Sequence, residues 1–189
     1  MGLNTTITVP KIEKWISRGE GDEYRMIELG NQHLDQHLGG PHGSAKDYFL
    51  AKDIDHVSID LNGQDGIDLN GQDGALKLDL NTKLDIAPAD IITNAGTSEH
   101  VSNQEMCFTN VHNLCKVGGH MVHFIPPQGT WPGHCSHYYS TEFMSDLAEA
   151  NNYTLLENRL LDEGRYVNKL NLIYCVLKKT EDSEFSWPN

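Results

Sequence analysis

The chain predicts a three-layer α/β/α fold, built on a doubly wound, mostly parallel sheet of seven strands whose last strand is antiparallel. Three observations carry that expectation. Short apolar runs alternate with amphipathic or capped helical segments, the pattern of a parallel sheet covered on both faces. The last two apolar runs, residues 153–161 and 170–178, are joined by eight residues containing Gly164. That gap is too short for a helical crossover, so the two strands pair as an antiparallel hairpin that puts the antiparallel strand at the sheet's edge. The 189 residues, 38% of them hydrophobic, are enough to bury a core without disulfides or a structural metal.

The elements follow in order. Residues 10–18 (PKIEKWISR) place Ile12, Trp15 and Ile16 on one side of a short helix. Residues 24–29 form a buried strand that ends in a turn at Gly30, and the glycine-rich stretch 31–43 is a loop. Ser44 caps a helix reaching about Lys52. Strands follow at 56–61, 75–80 and 90–94, then a helix over 102–115. Gly118 and Gly119 stop that helix and launch a strand over 120–125, which Pro126 and Pro127 end. Ser140 or Thr141 caps a helix reaching Ala150. Residues 1–22 read as an N-terminal helical segment, 23–178 as the folded domain and 179–189 as a flexible acidic tail. Residues 59–66 (IDLNGQDG) recur unchanged at 67–74, which reads as a tandem duplication held in a turn between two strands. Loop closure costs rise slowly with length, so such an insertion is tolerated.

Charge narrows the partners. Fourteen basic against 27 acidic residues leave a formal charge of −13 with no lysine or arginine cluster, which argues against nucleic acid and against an anionic membrane surface. No apolar run is long enough to span a bilayer. Met1 to Thr6 fits the loose N-myristoylation pattern, but no polybasic second signal accompanies it. Cys107, Cys115, Cys135 and Cys175 form no C-x-x-C pair and read as reduced thiols of a cytoplasmic protein.

Ligands of open α/β sheets bind beyond the carboxyl ends of the strands. Glu28, Asp60 and Asp79 stand at or near three successive ends, with Gly30, Asn94 and Gly96 beside them. Carboxylates there suit a ligand rich in hydroxyl and amine donors. Six pieces then carry a resemblance: Ile27-Glu28-Leu29-Gly30, Ser58-Ile59-Asp60, Leu78-Asp79-Leu80, residues 90–94 (DIITN), Ser98-Glu99-His100-Val101 and residues 114–119 (LCKVGG). In order and spacing they resemble the class I S-adenosylmethionine-dependent methyltransferases, whose fold is Rossmann-like. The resemblance implies S-adenosylmethionine as cofactor and methyl transfer to a small-molecule acceptor, through oxygen or nitrogen. It puts Glu28 and Gly30 at the methionine end, Asp60 at the ribose, Asp79 or Leu80 at the adenine, and Asn94, Ala95 and Gly96 under the methyl donor, with Asn31 and Leu61 also at the cofactor. The family pattern E-x-G-x-G-x-G keeps only its first glycine, since Gln32 and Leu34 hold the later positions.

If the acceptor is a hydroxyl, a histidine is a suitable base. The candidates are His100, His123, His134 and His137, of which His100, His134 and His137 are preferred; His120 and His123, three apart on a strand, point to opposite faces. Trp131, Tyr138 and Tyr139 could wall the acceptor pocket. His134-Cys135-Ser136-His137 offers three potential ligands within four residues, but no second ligand pair is placed by sequence, so no metal is expected. Two alternatives stand beside this reading. One is a catalytically inactive relative that only binds, suggested by the lost glycines. The other is a nicotinamide-dependent oxidoreductase, suggested by Thr93-Asn94-Ala95-Gly96 but lacking a G-x-G-x-x-G stretch.

Overall fold

The computed structural model describes residues 3–17, 22–35, 43–61, 75–162 and 171–188. Seven strands form the main sheet: β2 (Arg25–Leu29), β4 (Asp55–Asp60), β5 (Leu76–Lys77), β6 (Ala89–Ala95), β7 (Cys115–Ile125), β8 (Thr154–Asp162) and β9 (Asn171–Lys178). Two further strands, β1 (Leu3–Asn4) and β3 (Leu34–Asp35), pair with each other in parallel. The main sheet runs in the order β5-β4-β2-β6-β7-β9-β8. Six of these strands run in one direction and β9 runs in the other. The antiparallel strand is therefore not at the edge, as the hairpin reading placed it. It is inserted between β7 and β8, because its apolar run (NLIYCVLK) is buried from Leu172 to Leu177 while β8 exposes Leu155 and Leu160.

Four helices cover the sheet: α1 (Thr8–Glu13), α2 (Ala45–Leu50), α3 (Gln104–Leu114) and α4 (Thr141–Ala150). On one face Val9 and Ile12 of α1, and Ala45 and Phe49 of α2, pack on Met26, Ile91, Val122 and Phe124. On the other, Phe108, Val111 and Leu114 of α3, and Met144 and Leu147 of α4, pack on Ile27, Ile59, Ile92 and Met121. The alternation of apolar residues along each strand supplies both cores, the period-two rule for a sheet covered on both sides. Side-chain oxygens of Ser44, Asn103 and Ser140 accept from the backbone N–H three residues on, which fixes where α2, α3 and α4 begin.

Three expectations shift. The first helix spans Thr8–Glu13, earlier than residues 10–18, with Pro10 tolerated inside its first turn. The Gly118-Gly119 pair does not end α3; the helix passes into β7 at Cys115, and the glycines sit within the strand at a register irregularity opposite Ala89 and Ile91. A side chain on Gly119 would lie 2.9 Å from the carbonyl oxygens of both Asp90 and Lys116, so only glycine permits that close approach. The polar tail is not frayed across residues 179–188. Lys179 is buried and donates to the His112 carbonyl (3.0 Å), and Phe185 and Trp187 pack on the α3–α4 core. Two aromatic residues in an otherwise acidic stretch give that segment its own apolar surface to bury.

No described helix is long and apolar enough to cross a membrane. The four cysteines are unpaired, three of them buried. The second copy of the repeat, with Asp68, lies outside the described residues, as does the start of the turn after Leu61.

Candidate functional site

The strand order reverses between β2 and β6, and a cleft of about 410 Å³ opens there beyond the carboxyl ends of β2, β4 and β6. Its size is that of a small-molecule site. Eight residues expected at the ligand line it: Gly30, Asn31, Asp60, Leu61, Asp79, Leu80, Gly96 and His100. Six others join them: Gln32, Ile59, Leu78, Asn81, Thr97 and Val101.

Asp60 ends β4 and accepts the Asn31 backbone N–H at 3.1 Å, tying the turn after β2 to the neighbouring strand. Asp79 follows β5, and its Oδ1 accepts both the backbone N–H (2.9 Å) and the side-chain amide (2.7 Å) of Asn81. This local Asx-type turn presents the segment 78–81 to the cleft. Gly30 turns the chain with φ +80°. Thr97 Oγ1 reaches under it to the Leu29 carbonyl at 2.8 Å, so any Cβ on Gly30 would collide with that hydroxyl.

Three expected ligand residues stand behind the wall. Glu28, Asn94 and Ala95 are buried and do not line the cleft. Each pairs within its strand's hydrogen-bonded ladder and is buried there. Glu28 Oε2 accepts from the Gln32 backbone (3.1 Å) and from Ser58 Oγ (3.2 Å), so it braces the turn from beneath. Asn94 donates to Ser98 Oγ (2.7 Å), accepts the Ser98 backbone N–H (3.1 Å) and lies 3.2 Å from His123 Nδ1. Tyr139 donates its hydroxyl within this buried network, near Ser98 Oγ (2.9 Å) and Gln104 Oε1 (2.6 Å), so it is packing rather than pocket wall. Trp131 joins the core on the α1–α2 face, and its carbonyl accepts the Tyr138 hydroxyl at 2.6 Å. Neither belongs to the cleft lining.

The lost glycines have a structural counterpart. Gln32 is buried, and its amide approaches Thr97 Oγ1 at 3.5 Å. Leu34 is buried in the α1–α2 core, on the short strand β3 that pairs with β1. The turn is held here by the packing of these two side chains.

The histidines divide by position. His123 is buried, stacks 5.8 Å from Phe108, and is held by burial down to about 4. His120 lies on the opposite face against Trp15, as expected. His100 lines the cleft at the end of a short 3-10 turn (Ser98–His100), with His134 edge-on at 5.1 Å between ring centroids. The segment carrying His134 is anchored there because the Ser136 and His137 backbone N–H groups both donate to the Glu99 carbonyl, at 3.2 and 3.1 Å. Between them sits Glu99, a residue that sequence reasoning used only as part of a motif. Its side chain is fully buried, and burial pushes the carboxyl up to about 7.

Glu28 makes a pH prediction. Burial raises its carboxyl from 4.5 to about 8, so the folded protein holds this proton more tightly than the unfolded chain. The resulting stability is fully present below pH 4.5 and is lost as pH rises toward 8, at up to about 1.4 kcal/mol per unit. His56, held by burial at about 3, acts in the opposite window and loses stability as pH falls below 6.5. Above pH 6.5 the carboxyls therefore set the slope. Urea unfolding of the wild type should show stability falling between pH 6.5 and 8, and Glu28→Gln should flatten that fall. Parallel pH profiles for the two proteins would mean that Glu28 ionises without cost.

No protein-family model matches the chain, and no curated protein matches it by sequence. Solved structures do match. The Burkholderia thailandensis 1,6-didemethyltoxoflavin-N1-methyltransferase, solved with that substrate and S-adenosylhomocysteine, superposes with TM-score 0.61 at 14% identity, over 86% of this chain and 73% of that one. A Methanosarcina mazei S-adenosylmethionine-dependent methyltransferase gives 0.61 at 13% identity, over 91% and 98%. The 4+2 cyclase SpnF gives 0.58 at 10% identity, over 85% and 70%. The chain has the fold of the class I S-adenosylmethionine-dependent methyltransferases, as its sequence resemblance implied. SpnF is a reminder that such a fold hosts more than one reaction.

Proposed function

We propose that the cleft binds S-adenosylmethionine and that the protein transfers its methyl group to the oxygen or nitrogen of a small molecule. The observation that carries this reading is the pair of carboxylates at adjacent strand ends, Asp60 and Asp79, facing one cleft with the Gly30 turn across from them. Asp60 suits ribose hydroxyls, which donate to a carboxylate through charge-assisted hydrogen bonds. Leu61, Leu78, Leu80 and Val101 suit the flat apolar faces of an adenine. Gly30, Asn31 and Gly96 suit the amino-acid end, where backbone must come close. When bound, S-adenosylmethionine supplies an electrophilic methyl group on its sulfonium. The chain's own part is positioning and exclusion of water, which can account for much of a transfer reaction's acceleration. His100 lines the cleft and His134 packs edge-on against it, which supports a role for this pair near the acceptor, whereas His134 and His137 are not part of the cleft wall.

A binding protein without turnover is favoured by one observation, the Gln32 and Leu34 substitutions in the turn. A nicotinamide enzyme is disfavoured by the antiparallel β9, which departs from the all-parallel dinucleotide order. Calorimetric titration separates these readings. S-adenosylhomocysteine should bind with 1:1 stoichiometry while NAD and NADP produce no heat. Binding of a nicotinamide instead would overturn the proposal. Turnover with a panel of hydroxyl and amine acceptors then distinguishes enzyme from binder.

A further inference from the structure

We propose that Glu99, His100 and His134 form a site for one divalent transition-metal ion at the acceptor end of the cleft. One ligand atom from each residue lies within 4.8 Å of the other two. They come from two segments far apart in sequence, the 3-10 turn after β6 and the loop after β7. These are brought together by the two backbone hydrogen bonds from Ser136 and His137 to the Glu99 carbonyl. The histidine-rich loop alone offers no second ligand pair; the fold supplies one from Glu99 and His100.

The second, independent observation is the state of the Glu99 carboxylate. Its side chain is 0% exposed, and neither Oε1 nor Oε2 has a hydrogen-bond partner among the described residues. A buried carboxylate with no donor is costly unless a cation or a proton satisfies it. Oε1 lies 4.0 Å from Nε2 of His100, which lines the cleft. A bound ion of radius suited to bonds of about 2.0–2.1 Å brings its ligand atoms to roughly 3.3 Å from one another. His100 and His134 must therefore swing inward by about 1 Å, which their exposed side chains permit.

Two imidazoles and one carboxylate select a borderline ion such as zinc, cobalt or iron over magnesium or calcium, which prefer all-oxygen sites. Three protein ligands leave coordination positions open, the arrangement of a site that takes a substrate rather than one that only supports the fold. His100 belongs both to this cluster and to the cleft wall, so those positions adjoin the cleft. The acceptor would then carry an oxygen donor, a hydroxyl or a carboxylate, that the ion can hold. That last step rests on the methyl-transfer reading, whereas the metal site does not.

The test uses the full chain, stripped with chelator and titrated with Zn2+ and Co2+ in the absence of S-adenosylmethionine. One equivalent should bind, and Co2+ should develop the visible absorption of a low-symmetry nitrogen and oxygen site. His100→Ala and His134→Ala should each weaken binding at least thirtyfold, and Glu99→Gln at least tenfold. His120→Ala, at a residue that packs against Trp15 and is outside this cluster, should bind as the wild type does. Because His100 is exposed, its variant reads out the site even if a change at the buried Glu99 unfolds the protein. Equal affinity in the wild type and His100→Ala, or no binding by the wild type, would overturn the proposal. Loss of S-adenosylhomocysteine binding with Zn2+ binding intact would instead count against the methyl-transfer reading alone.

Discussion

Asp60→Ala should weaken S-adenosylhomocysteine binding by about 1.5–3 kcal/mol, a ten- to hundredfold change, while leaving the protein folded. The estimate is the scale of hydrogen bonds to a charged group. Two effects combine. The carboxylate that suits the ribose is removed, and the Asn31 backbone N–H loses its acceptor, which loosens the turn across the cleft. Asp60→Asn separates them, because its amide oxygen can still accept from Asn31 while the charge is gone. An intermediate loss in Asp60→Asn would assign the remainder to charge. Unchanged affinity in both variants, with loss in Asp68→Ala, would show that the second copy of the repeat supplies the acidic residue.

The second large effect is expected at Gly30. Alanine there must adopt φ +80° and place a methyl group against Thr97 Oγ1 and 2.8 Å from Gln32 Nε2. The backbone cost is about 1 kcal/mol and the overpacking adds about 1–3 kcal/mol. Thr97 can escape only by giving up its bond to the Leu29 carbonyl. Gly30→Ala should therefore lower stability by about 2–4 kcal/mol in urea unfolding and narrow the cleft. Gly30→Ala with Thr97→Ala should recover part of the stability, since the colliding hydroxyl is then gone. A single variant as stable as the wild type would mean that the turn relaxes without cost.

The two positions also mark what the sequence made legible. Asp60 and Gly30 follow directly from runs of apolar residues that stop, and a strand's carboxyl end is where a polar residue or glycine becomes informative. Glu28 and Asn94 carry the same local signal, yet they turn inward. The difference lies in partners from other strands. Glu28 meets Ser58 across β4, and Asn94 meets His123 across β7. No single strand contains that information. Glu99 was hidden for a similar reason. Its burial depends on a loop 37 residues later that folds back onto its carbonyl. The insertion of β9 within the sheet was likewise unreadable from the hairpin alone, because two strands joined by a short turn pair equally well in either order.

That insertion shapes how the molecule can be assembled during synthesis. The ribosome delivers β8 before β9, but in the main sheet β8 hydrogen-bonds only to β9. Until β9 emerges, β8 has no ladder partner and β7 keeps an open, strongly apolar edge from Met121 to Ile125. The nascent chain therefore passes through a stage in which a five-stranded sheet is formed but unsealed. Open edges of this kind invite wrong partners.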